Sequence, residues 1–154
     1  MPDEPVSKIL IADDNPQNVE LVEAFLSGLS CKTAVAVDGE DTLRKAAEFR
    51  PDLLLLDIMM PKVSGFEVCK RLKNDPQFAD MPILMVTSLH ENADIERAVE
   101  AGADDFLSKP IHRQVLVHRV KKLLEVRHLK NELERTLAYL REVDADPKDG
   151  GSRH

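Results

Sequence analysis

The chain has 154 residues, 43% of them hydrophobic, and a formal net charge of -7. That length suits one domain with a real core and an appendage, and 28 acidic against 21 basic residues argue against nucleic acid as the main partner, since phosphate backbones select basic surfaces. No apolar run approaches the ~18 residues that span a membrane, MPDEPVSK has no apolar signal core, and Cys31 and Cys69 lack CxxC spacing and read as buried thiols in a reducing cytosol.

In chain order, Lys8 to Ala12 (KILIA) reads as a buried strand. Pro16 to Leu29 reads as a helix, N-capped by Asn15, with Val19, Leu21, Val22, Phe25, Leu26 and Leu29 forming a wide apolar face. Lys32 to Val37 is a second strand, and Gly39 to Phe49 a second helix stopped by Pro51. Asp52 to Leu56 is a third strand and Gly65 to Lys73 a third helix. Pro82 to Val86 is a fourth strand, Asn92 to Ala101 a fourth helix ending at Gly102, and Asp105 to Leu107 a short fifth strand. A long helix starts near Arg113.

Strands that are apolar throughout are buried on both faces. Their alternation with helices predicts an α/β, doubly wound, five-stranded parallel sheet in the flavodoxin-like order 2-1-3-4-5. In such sheets ligands bind beyond the carboxyl ends of the strands. There the sequence places Asp13 and Asp14, Asp57, Thr87 and Ser88, and Ser108 and Lys109. Asp38 and Gly39 follow the second strand, which this order puts at the edge, and read as a turn and helix cap. Three converging carboxylates repel one another unless a cation sits among them, and hard oxygen ligands suit Mg²⁺. With an ammonium and a hydroxyl added, the set suits a phosphoryl group, and an aspartate can be the nucleophile that accepts it. Each piece alone is weak, since an aspartate after a strand is often only a cap. The conjunction at the ends of four strands is what carries the reading.

The stretches "ILIADDN", "LLLLDIMMPKVSGFEV", "ILMVTS" and "AGADDFLSKP" together resemble a bacterial two-component response-regulator receiver domain, of the chemotaxis-regulator kind, over roughly Lys8 to Leu124. The resemblance implies a phosphorylation-dependent switch rather than an enzyme. Asp57 would accept a phosphoryl group from a histidine kinase or phosphotransfer protein. Asp14 would ligate Mg²⁺ directly, Asp13 mainly through water, with Asp57 and the backbone carbonyl of Met59 completing the protein ligands. Lys109, Thr87 and Ser88 would meet the phosphoryl oxygens, and Lys109-Pro110 would be cis. Phe106 stands where the family has its switch aromatic; the plainer alternative is a core residue. Met59 and Leu89 flank the expected path of hydrolytic water, near His90 and Glu91. Both are apolar, so slow autodephosphorylation is expected.

The helical pattern runs on through "VRHLKNELERTLAYLREV". Val126, Leu129, Leu133, Leu137 and Leu140 are spaced 3, 4, 4, 3, a coiled-coil stripe with a stutter. Residues 126–143 would project roughly 25 Å beyond the receiver, residues 1–125. A parallel homodimer is the functional reading; folding back onto the domain, or fraying, is the alternative. In the family such helices often lead to output domains, including ones that make or degrade cyclic-di-GMP. DADPKDGGSRH, residues 144–154, reads as a disordered tail, and whether the chain is truncated or stands alone is left open. Arg119, Lys121, Lys122, Arg127 and Lys130 read as a solvated helix face. Two other classes fit less well. An aspartate-nucleophile phosphatase would need an acid-base aspartate where Met59 stands, and a receiver-like scaffold that takes no phosphate would not need the complete set Asp13, Asp14, Asp57, Thr87 and Lys109.

Overall fold

The computed structural model describes residues 6–88 and 92–145. Five parallel strands alternate with five helices: β1 (Ser7–Ala12), α1 (Pro16–Leu26), β2 (Cys31–Ala36), α2 (Gly39–Phe49), β3 (Leu53–Asp57), α3 (Gly65–Lys73), β4 (Ile83–Thr87), α4 (Asn92–Ala101), β5 (Asp105–Ser108) and α5 (Arg113–Ala145). The sheet order is β2-β1-β3-β4-β5, the flavodoxin-like order that the alternation predicts.

Side chains alternate across a strand, so each apolar run feeds two cores. Leu10, Ala12, Leu54, Leu56, Ile83 and Met85 face α2, α3 and α4, where Ala46, Val68, Leu72 and Ala98 meet them. Ile9, Ile11, Leu53, Leu55, Leu84 and Val86 face α1 and α5, where Val19, Val22, Leu26, Leu116, Val120 and Leu124 meet them. Helix starts follow local chemistry. The side chains of Asn15, Asp38 and Ser64 each accept a backbone N–H of the first turn of α1, α2 and α3.

Several expected boundaries move. Helix α1 stops at Leu26 rather than Leu29, because the Ser27 hydroxyl and N–H both turn back to the Ala24 carbonyl. Leu21 is exposed instead of joining the apolar face, and Cys31 is only half-buried. Asp57, Thr87 and Ser108 are the last residues of their strands rather than the first beyond them, because the ladder extends to pair Asp57 with Val86 and Thr87 with Ser108. Helix α5 continues through Asp144 and Ala145, two residues into the expected tail; residues 146–154 of that tail lie outside the described residues. The expected solvated basic face holds for Lys121 and Lys122. Arg119 instead donates to the Phe106 carbonyl and pairs with Asp105 at 3.4 Å, Lys130 pairs with Asp80 at 3.8 Å, and the Nε of Arg127 is buried without a partner.

Candidate functional site

Parallel register brings the polar residues to one rim. Ala12 pairs with Leu56, so Asp13 lies beside Asp57; Leu56 pairs with Met85, and Thr87 with Ser108, so Thr87 and Lys109 complete the row. Backbone bonds continue one step past the strands and hold this order: Asp13 N–H to the Ala36 carbonyl at 3.0 Å, Ile58 N–H to Val86 at 3.1 Å, and Lys109 N–H to Thr87 at 2.8 Å. Asp38, at the edge strand, caps α2 and stays out of the site, as its position implies.

One ligand oxygen from each of Asp13, Asp14 and Asp57 lies within 4.8 Å of the others. Asp13 and Asp57 are buried, while Asp14 is exposed and open to an incoming group. The carboxylate of Asp57 is held from two sides: the Met59 N–H donates to Oδ1 at 3.0 Å and Lys109 Nζ approaches Oδ2 at 3.1 Å. Burial pushes the pKa of Asp13 above the ordinary carboxylate value; the nearby Asp57 charge adds to this, while the Asn15 N–H at 2.9 Å, Lys109 and the Asn18 side chain oppose it. Thr87 is buried and Ser88 exposed. Phe106 is half-buried and packs on the core facing α2, α3 and α4. The Lys109-Pro110 peptide bond is cis. Met59 projects outward, 62% exposed, whereas Leu89, His90 and Glu91 lie outside the described residues.

The loop after β3 is packed tightly against helix starts. A Cβ on Gly65 would sit 2.7 Å from the Asp57 carbonyl oxygen, so only glycine lets α3 begin this close to the site. Lys62 takes a left-handed φ of 71°, uncommon for a lysine, and its Nζ lies 3.5 Å from Asp38. Two contributors escape a strand-end reading. Asn18, one helical turn beyond the Asn15 cap, brings its amide to the Asp13 carboxylate. Gly39 carries no visible signal of its role; a Cβ there would strike the Val63 carbonyl.

A buried, mutually repelling set of hard oxygens with one exposed member suits a small divalent cation better than it suits an empty protein pocket. The donor chemistry therefore fits Mg²⁺.

Residues 9–121 match the family described as the response regulator receiver domain. The chain belongs to that family. The receiver is 40% identical over 127 residues to response regulator PleD of Caulobacter vibrioides, which covers 82% of this chain but 28% of PleD, so it spans less than a third of that relative. A putative response regulator from Chloroflexus aurantiacus superposes with a TM-score of 0.75 at 35% identity, covering 79% of this chain and 99% of that one. The receiver domain of a sensor histidine kinase from Pseudomonas aeruginosa, with a magnesium ion coordinated in its active site cleft, superposes at 0.72 and 27% identity over 79% of this chain and 99% of its own. The receiver is thus a regulatory module of phosphorylation-dependent two-component signalling. No helix of the described residues is long and apolar enough to cross a membrane.

Proposed function

We propose that Asp57 is the phosphoacceptor of this receiver, taking a phosphoryl group from a histidine kinase, a phosphotransfer protein or a small acyl phosphate, with Mg²⁺ as cofactor. The observation that carries the reading is the Lys109 ammonium 3.1 Å from Asp57 within a three-carboxylate cluster. Asp14, Asp13 through water, Asp57 and the Met59 carbonyl would hold the ion. Bound there, Mg²⁺ neutralises charge on the phosphoryl oxygens. An Asp57 oxygen bonds to phosphorus as the donor's P–N or P–O bond breaks, and the leaving group keeps that electron pair. The Met59 N–H and Lys109 fix the carboxylate's orientation, so little freedom is lost on reaching the transition state. Lys109, Thr87 and Ser88 then receive the phosphoryl oxygens.

The signal leaves through Phe106, whose carbonyl accepts from Arg119 on α5. Without a hydroxyl to bond outward, Phe106 chooses its position by packing alone, and Thr87 moving toward phosphate frees the room behind it. The readout is a changed homodimer through Val126, Leu129, Leu133, Leu137 and Leu140, all exposed on the helical extension beyond a receiver boundary near residue 125. The net charge of -7 argues against nucleic acid as a direct partner of this module. A cytoplasmic location, expected from the sequence, fits the receiver's role.

Titration with beryllofluoride and Mg²⁺, following mass by light scattering, tests the reading. Saturable binding that needs both ions and shifts the monomer–dimer balance supports it. Binding that Asp57→Asn leaves intact would remove the assigned site; binding without any change in assembly would remove the dimer readout alone.

A further inference from the structure

The loop between β3 and α3 carries Met59 and is fixed at both ends. At its start the Met59 N–H donates to Asp57 Oδ1 at 3.0 Å, and the Met60 N–H closes a three-residue turn onto the Ile58 carbonyl at 3.2 Å. At its end the Gly65 N–H returns to the same carbonyl at 3.1 Å. Its middle is held by a different element. The Gly39 N–H of α2 donates to the Pro61 carbonyl at 3.4 Å, and Val63 packs on the core facing α2, close against Gly39. Lys62 Nζ lies 3.5 Å from Asp38 Oδ2 and 3.9 Å from Glu40. Asp38 divides its carboxylate between two tasks: Oδ1 caps α2 through the Asp41 N–H at 2.7 Å, and Oδ2 faces Lys62.

Lys62 does not suit its own backbone. At a φ of 71° it occupies the left-handed region, where an L side chain crowds the following carbonyl and glycine or asparagine is less strained. Its ammonium supplies a reason for lysine, since it faces an acidic helix start in which Glu40 and Asp41 follow the Asp38 cap. We propose that Lys62 is a positioning residue for the metal site, its ammonium tying the Met59-bearing loop to the acidic first turn of α2. Such a role rests on the metal reading, in which the Met59 carbonyl helps to hold Mg²⁺. Asp38, which caps the helix after the edge strand and stays out of the rim, then acts on the ion through the loop. Without the tie the carbonyl samples more positions, and ordering it costs binding free energy. The sign separates a clamp from plain electrostatics. Lys62 is a cation, so by charge alone its removal would strengthen Mg²⁺ binding. As a clamp, its removal weakens it.

The test is calorimetric titration of the full chain with Mg²⁺. Lys62→Met is expected to bind about threefold more weakly, in the range of an exposed ion pair, and Lys62→Arg to bind as the wild type does. Lys62→Gly relieves the left-handed backbone, so it should unfold at a higher urea concentration than the wild type while binding Mg²⁺ more weakly. A merely structural residue would not give a gain in stability with a loss in affinity. Asp38→Asn keeps the cap, since an asparagine oxygen also accepts the Asp41 N–H, and should weaken binding to a similar extent. Asp38→Asn with Lys62→Met should lose no more than either change alone. Acetyl phosphate labelling of Lys62→Met should be slower at subsaturating Mg²⁺ and match the wild type at saturation. Unchanged or tighter Mg²⁺ binding by Lys62→Met, or additive losses in the double variant, would overturn the clamp alone, provided that Asp14→Asn weakens binding. Mg²⁺ binding that Asp14→Asn leaves unchanged would remove the metal site itself, and the clamp with it.

Discussion

The two halves of α5 use the same residue types to opposite ends. In the first half Leu116 and Val120 are 0% exposed against the sheet, and Leu124 is 8% exposed. In the second half Leu129 is 63% exposed and Leu133 58%. Both stretches have helical apolar periodicity, but among the described residues only the first is covered. Periodicity fixes which side of a helix is apolar; it does not say what covers it. The lower half is nonetheless not a free rod at its start. His128 Nε2 lies 3.0 Å from the Ser7 hydroxyl at the beginning of β1, and Lys130 reaches Asp80 before β4. These contacts tie the first turn of the extension to the foot of the sheet.

The contrast breaks first at the core. Leu116→Ala should cost about 2–5 kcal/mol of unfolding free energy by denaturant titration, because a buried leucine leaves a cavity. Leu133→Ala should change the unfolding of the monomer by no more than ~0.5 kcal/mol. Leu133→Lys with Leu137→Lys should remove self-association in sedimentation while leaving the receiver folded. A large loss of monomer stability from Leu133→Ala would mean that the stripe packs on its own domain. At the site, Met59→Asn should speed decay of the purified phosphoprotein roughly tenfold, the effect of ~1.4 kcal/mol of transition-state stabilisation from an amide that orients water. An unchanged decay would put control of water elsewhere. The tie between the halves is smaller: His128→Ala should cost about 1 kcal/mol, the worth of one hydrogen bond, and raise amide exchange at the start of the extension.

The smallest effect is a sign. The raised pKa of Asp13, from an ordinary 3.8, means that the metal-free native state holds this proton more tightly than the unfolded chain does. Its contribution to stability therefore falls as pH rises from the ordinary value through the folded one, and the penalty is fully present above that. Asp13→Asn should stabilise the metal-free protein at about neutral pH and not at about pH 3. A stabilisation that is the same at both would assign the effect to packing.

Much of this was legible in the sequence. Unbroken apolar runs gave a two-faced parallel sheet, and a residue's place at a strand's carboxyl end put it at the rim, so Asp13, Asp14, Asp57, Thr87 and Lys109 could be gathered without coordinates. Strand ends were off by about one residue because main-chain pairing extends into polar side chains, as at Asp57 and Thr87. Leu21 misled because six apolar residues cover more of α1 than the sheet can bury. Arg119 misled because a long side chain on an outward position can still reach a strand's carbonyl. Gly39 and Gly65 answer to close approaches between segments distant in sequence, and spacing carries no trace of those.

Asp57 is the proposed acceptor of the phosphoryl group. Intact-mass measurement after incubation with acetyl phosphate tests it most directly. With Mg²⁺ the protein should gain one phosphoryl group, and without Mg²⁺, or in Asp57→Asn, none. Equal labelling of Asp57→Asn, or labelling that proceeds unchanged without the metal, would contradict the account.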